Sequence, residues 1–390
     1  MGDDHSTILR QDGSVWSTFR CTNGAVGVMG RHFVQIVASG GAVAVAAGVG
    51  FGMVLKTDGS LWGFGKNSRG QLGDKTKFKR PDFSFSTILN HAKAIAAGGL
   101  HSMVVTHDDR VMAVGANMYG QLGGGPKNGR INFLEVISSG AKAVTAGQSH
   151  SIMLQLDGSV WATGRNNCGQ LGDGSNNDRK SFVKVMSRGA VVVAAGGFHS
   201  IVMMQDGSVW ATGSNEFGQL GDGSTTDRIY YIEVISGGVK NVAVGKQHTM
   251  ILKDDGNVWA TGYNRYGQLG DGWTTNRHSF VRVFPEGVQL IAAGSFHNML
   301  VKLDGSIYAT GSNRHGQFGD GSLTSEKIFI RLAPFGKGNR HDAMRVHVQL
   351  RFIFPFNSSI IKCSTGDLWS TPAAYHIEFT GNETANDGVN

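Results

Sequence analysis

Residues 191–223 read VVVAAGGFHSIVMMQDGSVWATGSNEFGQLGDG. Val191 to Ala195 is a short apolar run closed by Gly196-Gly197. His199 to Met203 is a second, closed by Asp206-Gly207, and Val209 to Thr212 a third, closed by Gly213. Short β-branched and aromatic runs between such punctuation are buried strands joined by tight turns. A fourth strand fits the apolar stretch that follows the polar loop of each unit, as at Phe182 to Val185. No stretch keeps an apolar 3.6 period for three turns, so helices should be few.

The same unit recurs. Asn-x-x-Gly-Gln-Leu-Gly starts at Asn67, Asn117, Asn166, Asn215, Asn264 and, with Phe318 for Leu, at Asn313. The steps are 50, 49, 49, 49 and 49 residues. Asp-Gly or a close variant holds the same register at Asp12, Asp58, Asp108, Asp157, Asp206, Asp255 and Asp304, which makes seven units. Seven residues before each stands His5, His101, His150, His199, His248 or His297, with Phe51 in the second unit. Soon after it comes Trp16, Trp62, Met112, Trp161, Trp210, Trp259 or Tyr308. A fixed period near 50 marks one supersecondary unit copied in series. One four-stranded sheet cannot bury both its faces alone, and radial closure leaves only short edges. The expected fold is therefore all-β, a seven-bladed β-propeller of four-stranded blades, with the Trp position in the core between blades.

The chain starts in mid-unit, since Gly2-Asp3-Asp4-His5 aligns with Gly98-Gly99-Leu100-His101. The strictly alternating segment Met344 to Phe352 is read as the strand that completes the first blade, the alternative being a strand that pairs elsewhere. Cys21 to Gly27 replaces the Asn-x-x-Gly-Gln-Leu-Gly motif in unit one. Thr365-Gly366-Asp367-Leu368-Trp369 resembles the Asp-Gly-x-Val-Trp element. The propeller thus spans 1–352, and 353–390 is a degenerate repeat remnant with a polar tail.

The net charge of +7 and pI near 9.3 come from residues scattered over the repeats, without a basic tail. Scattered charge is compatible with nucleic acid, chromatin or acidic proteins but specifies none of them. Three cysteines without metal spacing suit a reducing compartment, cytoplasmic or nuclear. No apolar segment approaches a membrane span, and the acidic N-terminus is unlike a secretory signal. Two glycosylation sequons, at Asn357 and Asn382, are therefore read as chance.

The pattern Val-x-x-Val-Ala-Ala-Gly-x-x-His-Ser, then Asp-Gly-x-Val-Trp-Ala-Thr-Gly-x-Asn-x-x-Gly-Gln-Leu-Gly-Asp-Gly, resembles the repeat of the regulator of chromosome condensation family. The resemblance runs from about Gly2 to Pro334 and implies a seven-bladed propeller. Its functional message is broader. The family includes nucleotide exchange factors, ubiquitin-ligase modules, a plant ultraviolet receptor and scaffolds.

Candidate sites must stand out from the repeat. The six histidines, one per unit, are spread around a ring and cannot converge on one metal; each should hold a turn. Gly-Gln-Leu-Gly-Asp-Gly lacks the Lys-Ser/Thr of a phosphate loop, and no helix pattern follows; Gln170 and its equivalents should satisfy backbone groups. Arg80, Arg130, Arg179, Arg228 and Arg277 recur six residues after Asp74, Gly124, Asp173, Asp222 and Asp271. They are read as intra-loop ion pairs, with a ring of exposed guanidinium groups as the alternative. The residues that vary within the constant frame are better candidates, because they are loop positions on a rigid scaffold. They supply the candidate partner-binding set Arg69, Tyr119, Phe217, Arg265, Tyr266, Arg314 and His315, types that dominate interface energetics. Residues before the histidines, such as Phe198, Lys246 and Phe296, extend the same rim.

No catalytic constellation stands out, and neither a metal nor a cofactor is called for. The expected function is a non-enzymatic protein-interaction scaffold. The alternative is guanine-nucleotide exchange on a small GTPase, which rests on the resemblance. The family's exchanger uses a projecting wedge hairpin, and the 49–50-residue spacing leaves no room for one in units two to seven. The ultraviolet receptor's Trp-Arg loop signature is absent; Gly-Phe-His-Ser stands there instead. The expected partner is a protein, with a small GTPase among the candidates, and no membrane.

Overall fold

A computed structural model of the chain describes residues 5–10, 12–18, 31–80, 89–126 and 128–333. Among these there are only strands, turns and bends, arranged in seven antiparallel sheets. The fifth shows the plan. Its innermost strand is Ala190–Ala195, followed by His199–Met204, Val209–Gly213 and the outer strand Arg228–Ile235, hydrogen-bonded in that order. Blades three, four, six and seven repeat it. In blade two, the bridges Leu61↔Leu89 and Gly65↔Arg80 mark the outer strand's place beside three described strands. Blade one contributes Thr7–Leu9, Val15–Ser17 and Val34–Val37. The proposed closing strand 344–352, the degenerate loop Cys21 to Gly27 and residues 353–390 lie outside the described residues.

Inward-facing residues from each pair of neighbouring sheets form one apolar cluster. There are seven such clusters, and each joins two consecutive blades. The seventh carries the closure: Ile8 and Phe33 of blade one pack with Met299, Ile307 and Phe318 of blade seven. The His32↔Asp320 bridge and the bond from Gly321 N–H to the Arg31 carbonyl, 2.7 Å, seal the same seam. Each sheet is thereby covered on both faces, as the repeat demands.

The Trp position belongs to these interfaces but is not fully enclosed. Trp161, Trp210 and Trp259 are half-buried at the edges of the clusters. For Trp161 and Trp210 the Asp-Gly-Ser turn holds the ring at that edge, whereas Trp259 follows an Asp-Gly-Asn turn and its indole N–H is without a partner among the described residues. In blade four Asp157 Oδ1 accepts the Ser159 N–H, and Ser159 Oγ accepts the Trp161 indole N–H at 3.0 Å. Satisfying the indole at the turn keeps one ring edge near solvent, where Lys184 Nζ lies 5.2 Å from the Trp161 ring centroid.

The histidines do more than hold a turn within their own blade. His101, His150, His199, His248 and His297 each place Nε2 2.8–3.1 Å from Ser151, Ser200, Thr249, Asn298 and Ser6 of the following blade. Those side chains in turn donate to the carbonyls of Gln121, Gln170, Gln219, Gln268 and Gln317 in the preceding blade's loop. Because the hydroxyl or amide proton is used on the carbonyl, the imidazole must donate from Nε2. Nδ1 is then the bare nitrogen, buried without a partner. The last latch, His297–Ser6–Gln317, spans the seam between the chain's first and last blades.

Close approach near the axis requires glycine. A Cβ on Gly196 would overlap the His199 ring and stand 2.6 Å from the Gly245 carbonyl oxygen of the next blade. Gly98, Gly147 and Gly245 meet the same pair of neighbours in their own blades.

Gly196→Ala should therefore lower the free energy of unfolding by about 1–3 kcal/mol, the usual penalty for overpacking; chemical denaturation will measure it, and an unchanged midpoint would contradict the packing described. The latch also predicts a pH dependence. Burial lowers His5, His150 and His199 from 6.5 to about 3 and His101 and His248 to about 4. The unfolded chain therefore takes up protons first as pH falls below 6.5. Stability should be full above that value and decline as pH falls, down to about 4 for His101 and His248 and about 3 for His5, His150 and His199, by on the order of 1 kcal/mol per histidine per pH unit. Melting temperature recorded between pH 7 and 4 tests this. His199→Phe, which copies Phe51 of blade two, should flatten the slope.

Candidate interaction rim

The Asn-x-x-Gly-Gln-Leu-Gly loops are constant because nearly every polar group in them is used internally. In blade four, Asn166 Oδ1 accepts the Leu171 N–H, and its Nδ2 donates to Asp173 Oδ1 and the Ser175 carbonyl. Gln170 Oε1 accepts the Cys168 N–H at 2.9 Å. Asp173 is held by Arg179 at 2.5 Å. Arg80–Asp74, Arg228–Asp222 and Arg277–Asp271 repeat the pair at 2.6–2.7 Å. The carboxylates of Asp74, Asp173 and Asp222 are lowered despite the opposing effect of burial, by hydrogen bonds from Arg, Ser or Thr, and Asn. These arginines are ion pairs, not a free guanidinium ring. Arg130 differs, since Gly124 replaces its carboxylate. Loop N–H groups committed in this way form no phosphate cradle. Among the described residues no group of three or more His, Cys, Asp or Glu is placed to hold a metal.

The variable residues gather at one end of the ring. The residue after each third strand hydrogen-bonds through its N–H to the residue before a histidine. Arg165 meets Ser149, Ser214 meets Phe198, Tyr263 meets Gln247 and Ser312 meets Phe296, at 2.7–2.9 Å. The Asn-x-x-Gly residues join them. Phe217, Tyr263, Tyr266 and Phe296 form an edge-to-face cluster across blades five to seven, with centroids 4.9–6.2 Å apart. Arg314 lies 5.2 Å over Tyr266, and Lys246 5.5 Å over Phe296. Arg165 lies 4.9 Å from Tyr119 and 5.1 Å from Phe198, which links blades three, four and five. Inside this arc, the ends of the innermost strands enclose an axial cavity lined by Ala and Gly, with Gln148, Lys246 and Ser295 on its wall.

Of the residues picked out from sequence, Tyr119, Phe217, Tyr266 and Arg314 belong to this continuous arrangement. Arg69, Arg265 and His315 are exposed on the same set of loops. Cys168 shares the loop; burial, followed by the nearby Asp227 carboxylate, raises its thiol pKa. Arg165 and Tyr263 were not singled out. They occupy the one position between the strand-closing Gly and the constant Asn, which reads Lys66, Ala116, Arg165, Ser214, Tyr263 and Ser312. That variability was the available signal.

The regulator of chromosome condensation (RCC1) repeat models match residues 42–71, 141–170, 190–219, 239–268 and 288–317, and also 58–105, 157–203, 206–252 and 255–301. No curated protein matches the chain by sequence. Among solved structures, human WBSCR16 is similar at 23% identity and a TM-score of 0.70, over 78% of this chain and 84% of that one. Yeast RCC1 (Prp20), crystallised bound to Kap60, is similar at 18% identity and a TM-score of 0.68, over 75% of each chain. Prp20p from Saccharomyces cerevisiae, whose structure was described with its binding properties to Gsp1p and histones, gives 19% identity and 0.66, over 75% of this chain and 77% of that one. At these identities the likeness is one of fold. Taken together, the repeat models cover more than half of the sequence, and the chain belongs to the regulator of chromosome condensation (RCC1) repeat family.

Proposed function

We propose that this chain is a non-enzymatic protein-interaction propeller whose rim of variable loop residues is the docking face. The observation that carries the reading is a division of labour. The residues that recur from blade to blade are used in internal hydrogen bonds and, in four blades, Asp–Arg ion pairs, whereas the irregular residues collect at one end as an arc of aromatic and cationic side chains. Tyr and Arg held on a rigid frame bind at low entropic cost.

A second reading is guanine-nucleotide exchange on a small GTPase. Its support is membership of a family that includes exchange factors, together with the fold likeness to Prp20p, a protein studied for binding to Gsp1p and histones. The regular unit spacing, with no wedge insertion in units two to seven, weighs against it.

Affinity capture from a cell lysate with mass spectrometry separates the two. The interaction reading expects stable partners that are lost from the Tyr119→Ala/Phe217→Ala/Tyr266→Ala variant, with the fold intact by melting. Partners retained in full by that variant would remove the rim from the proposal. For the exchange reading, the purified chain should speed nucleotide release from a GTPase among the captured proteins; an unaltered release rate across a GTPase panel would end it.

A further inference from the structure

Two sets of cations on the surface loops differ in their electrostatic surroundings. Arg80, Arg179, Arg228 and Arg277 recur with the repeat, and each is neutralised by an aspartate of its own loop. The cations at the irregular rim positions are Lys66, Arg69, Arg165, Lys246, Arg265 and Arg314, and the one carboxylate at those positions in blades two to seven is Glu216. Among the described residues, none of the six takes part in an ion pair. Three of them are placed by rings instead: Arg165 by Tyr119 and Phe198, Lys246 by Phe296, Arg314 by Tyr266. A guanidinium stacked on a ring keeps its N–H edges free, and those edges match a carboxylate in the bidentate geometry.

From this arrangement we propose that the rim binds an acidic linear segment of a partner protein, its carboxylates paired with Arg165, Lys246 and Arg314 and its apolar side chains set against the Phe217–Tyr263–Phe296 cluster. The inference rests on the interaction reading and names its partner class. The cations lie on blades four, six and seven, along an arc around the axial cavity, so an extended chain can meet them in succession. Single-stranded nucleic acid fits less well. It needs open ring faces for base stacking, whereas cations lie over Tyr119, Phe198, Tyr266 and Phe296, and the rings meet one another edge to face.

A variant that folds is available from the repeat itself. In blade five Ser214 Oγ accepts the Gln219 Nε2–H at 3.1 Å, whereas beneath Arg165 the equivalent Gln170 Nε2 is buried without a partner. Arg165→Ser supplies the missing acceptor, so the variant should melt no lower than the parent. Arg314→Ser changes an exposed position that is Ser68 in blade two.

Fluorescence anisotropy of the full chain with a labelled peptide of alternating Glu and Leu is the direct test. Its twin with Gln for Glu and a labelled oligouridine serve as comparisons. The Glu peptide should bind, with affinity that falls as salt is raised. The Gln twin and the Arg165→Ser/Arg314→Ser chain should each lose about tenfold or more, the scale of charge-assisted contacts. Arg188→Ser, at the opposite end beside the Asp157 turn, should leave binding unchanged. Equal affinity for the two peptides, preference for oligouridine, or full binding by the double variant would overturn the inference. Partners captured through the rim without any binding of the Glu peptide would sink the acidic-segment proposal alone and leave the interaction reading in place.

Discussion

Each sheet of this propeller is apolar on both faces, so every blade depends on two neighbours, and the ring must close. The constraint is met at seven equivalent interfaces, including the one that joins the first blade to the last. Packing alone would tolerate some sliding between sheets. The imidazole–hydroxyl–carbonyl latch removes that freedom, because it ties the second strand of one blade, the second strand of the next and the connecting loop at one point. Polar groups buried without water are costly unless paired, so the latch has one satisfactory geometry. Where Phe51 replaces the histidine, Ser102 still donates to the Gln71 carbonyl at 2.7 Å, and apolar packing takes over the rest.

The latch also fixes the rim. The Gln whose carbonyl receives the hydroxyl proton is the residue whose side chain accepts an N–H from the Asn-x-x-Gly turn. A contact between blades therefore sets the backbone of the surface loop directly above it. Side chains at the two free positions of that loop vary without disturbing the turn, since the turn is held by groups that do not vary. This is how one frame can present Met118-Tyr119, Glu216-Phe217 or Arg314-His315 with the same backbone.

Much of this was legible from period and punctuation. Strand order, blade number and the internal role of the Asp–Arg pairs follow from spacing, because those interactions are local or repeat at a fixed offset. The latch was not legible. His199 and Thr249 are 50 residues apart, and nothing in a linear reading says that neighbouring units meet at those two atoms rather than others. Spacing shows Gly196 closing a strand but not which backbone approaches it, which is that of Gly245 in the next blade. The linear reading puts the tryptophans in the core between blades, and they line those interfaces; what it does not show is that the rings stay half-buried, with the indole N–H of Trp161 and Trp210 held by the Asp-Gly-Ser turn. The rim was visible in outline as the set of irregular positions, but the stack of Tyr263 between Phe217 and Phe296 needs blades five, six and seven in space.

Repetition supplies a criterion for separating structural from available chemistry. A residue that recurs with the repeat meets much the same surroundings each time, so where its partner recurs too (Arg130, opposite Gly124, is the exception) its charge is spent within the fold. Arg179 and its equivalents illustrate this, with aspartate partners at 4–7% side-chain exposure. A residue found at a position only once has no partner guaranteed by the repeat. If it is polar it must find one by chance, in solvent, or in another molecule. Arg165 and Arg314 are of that kind; the neighbours that position them are aromatic rings, which orient a cation without neutralising it. In a protein built from copies, the electrostatic potential that reaches a partner is therefore written mainly by departures from the repeat.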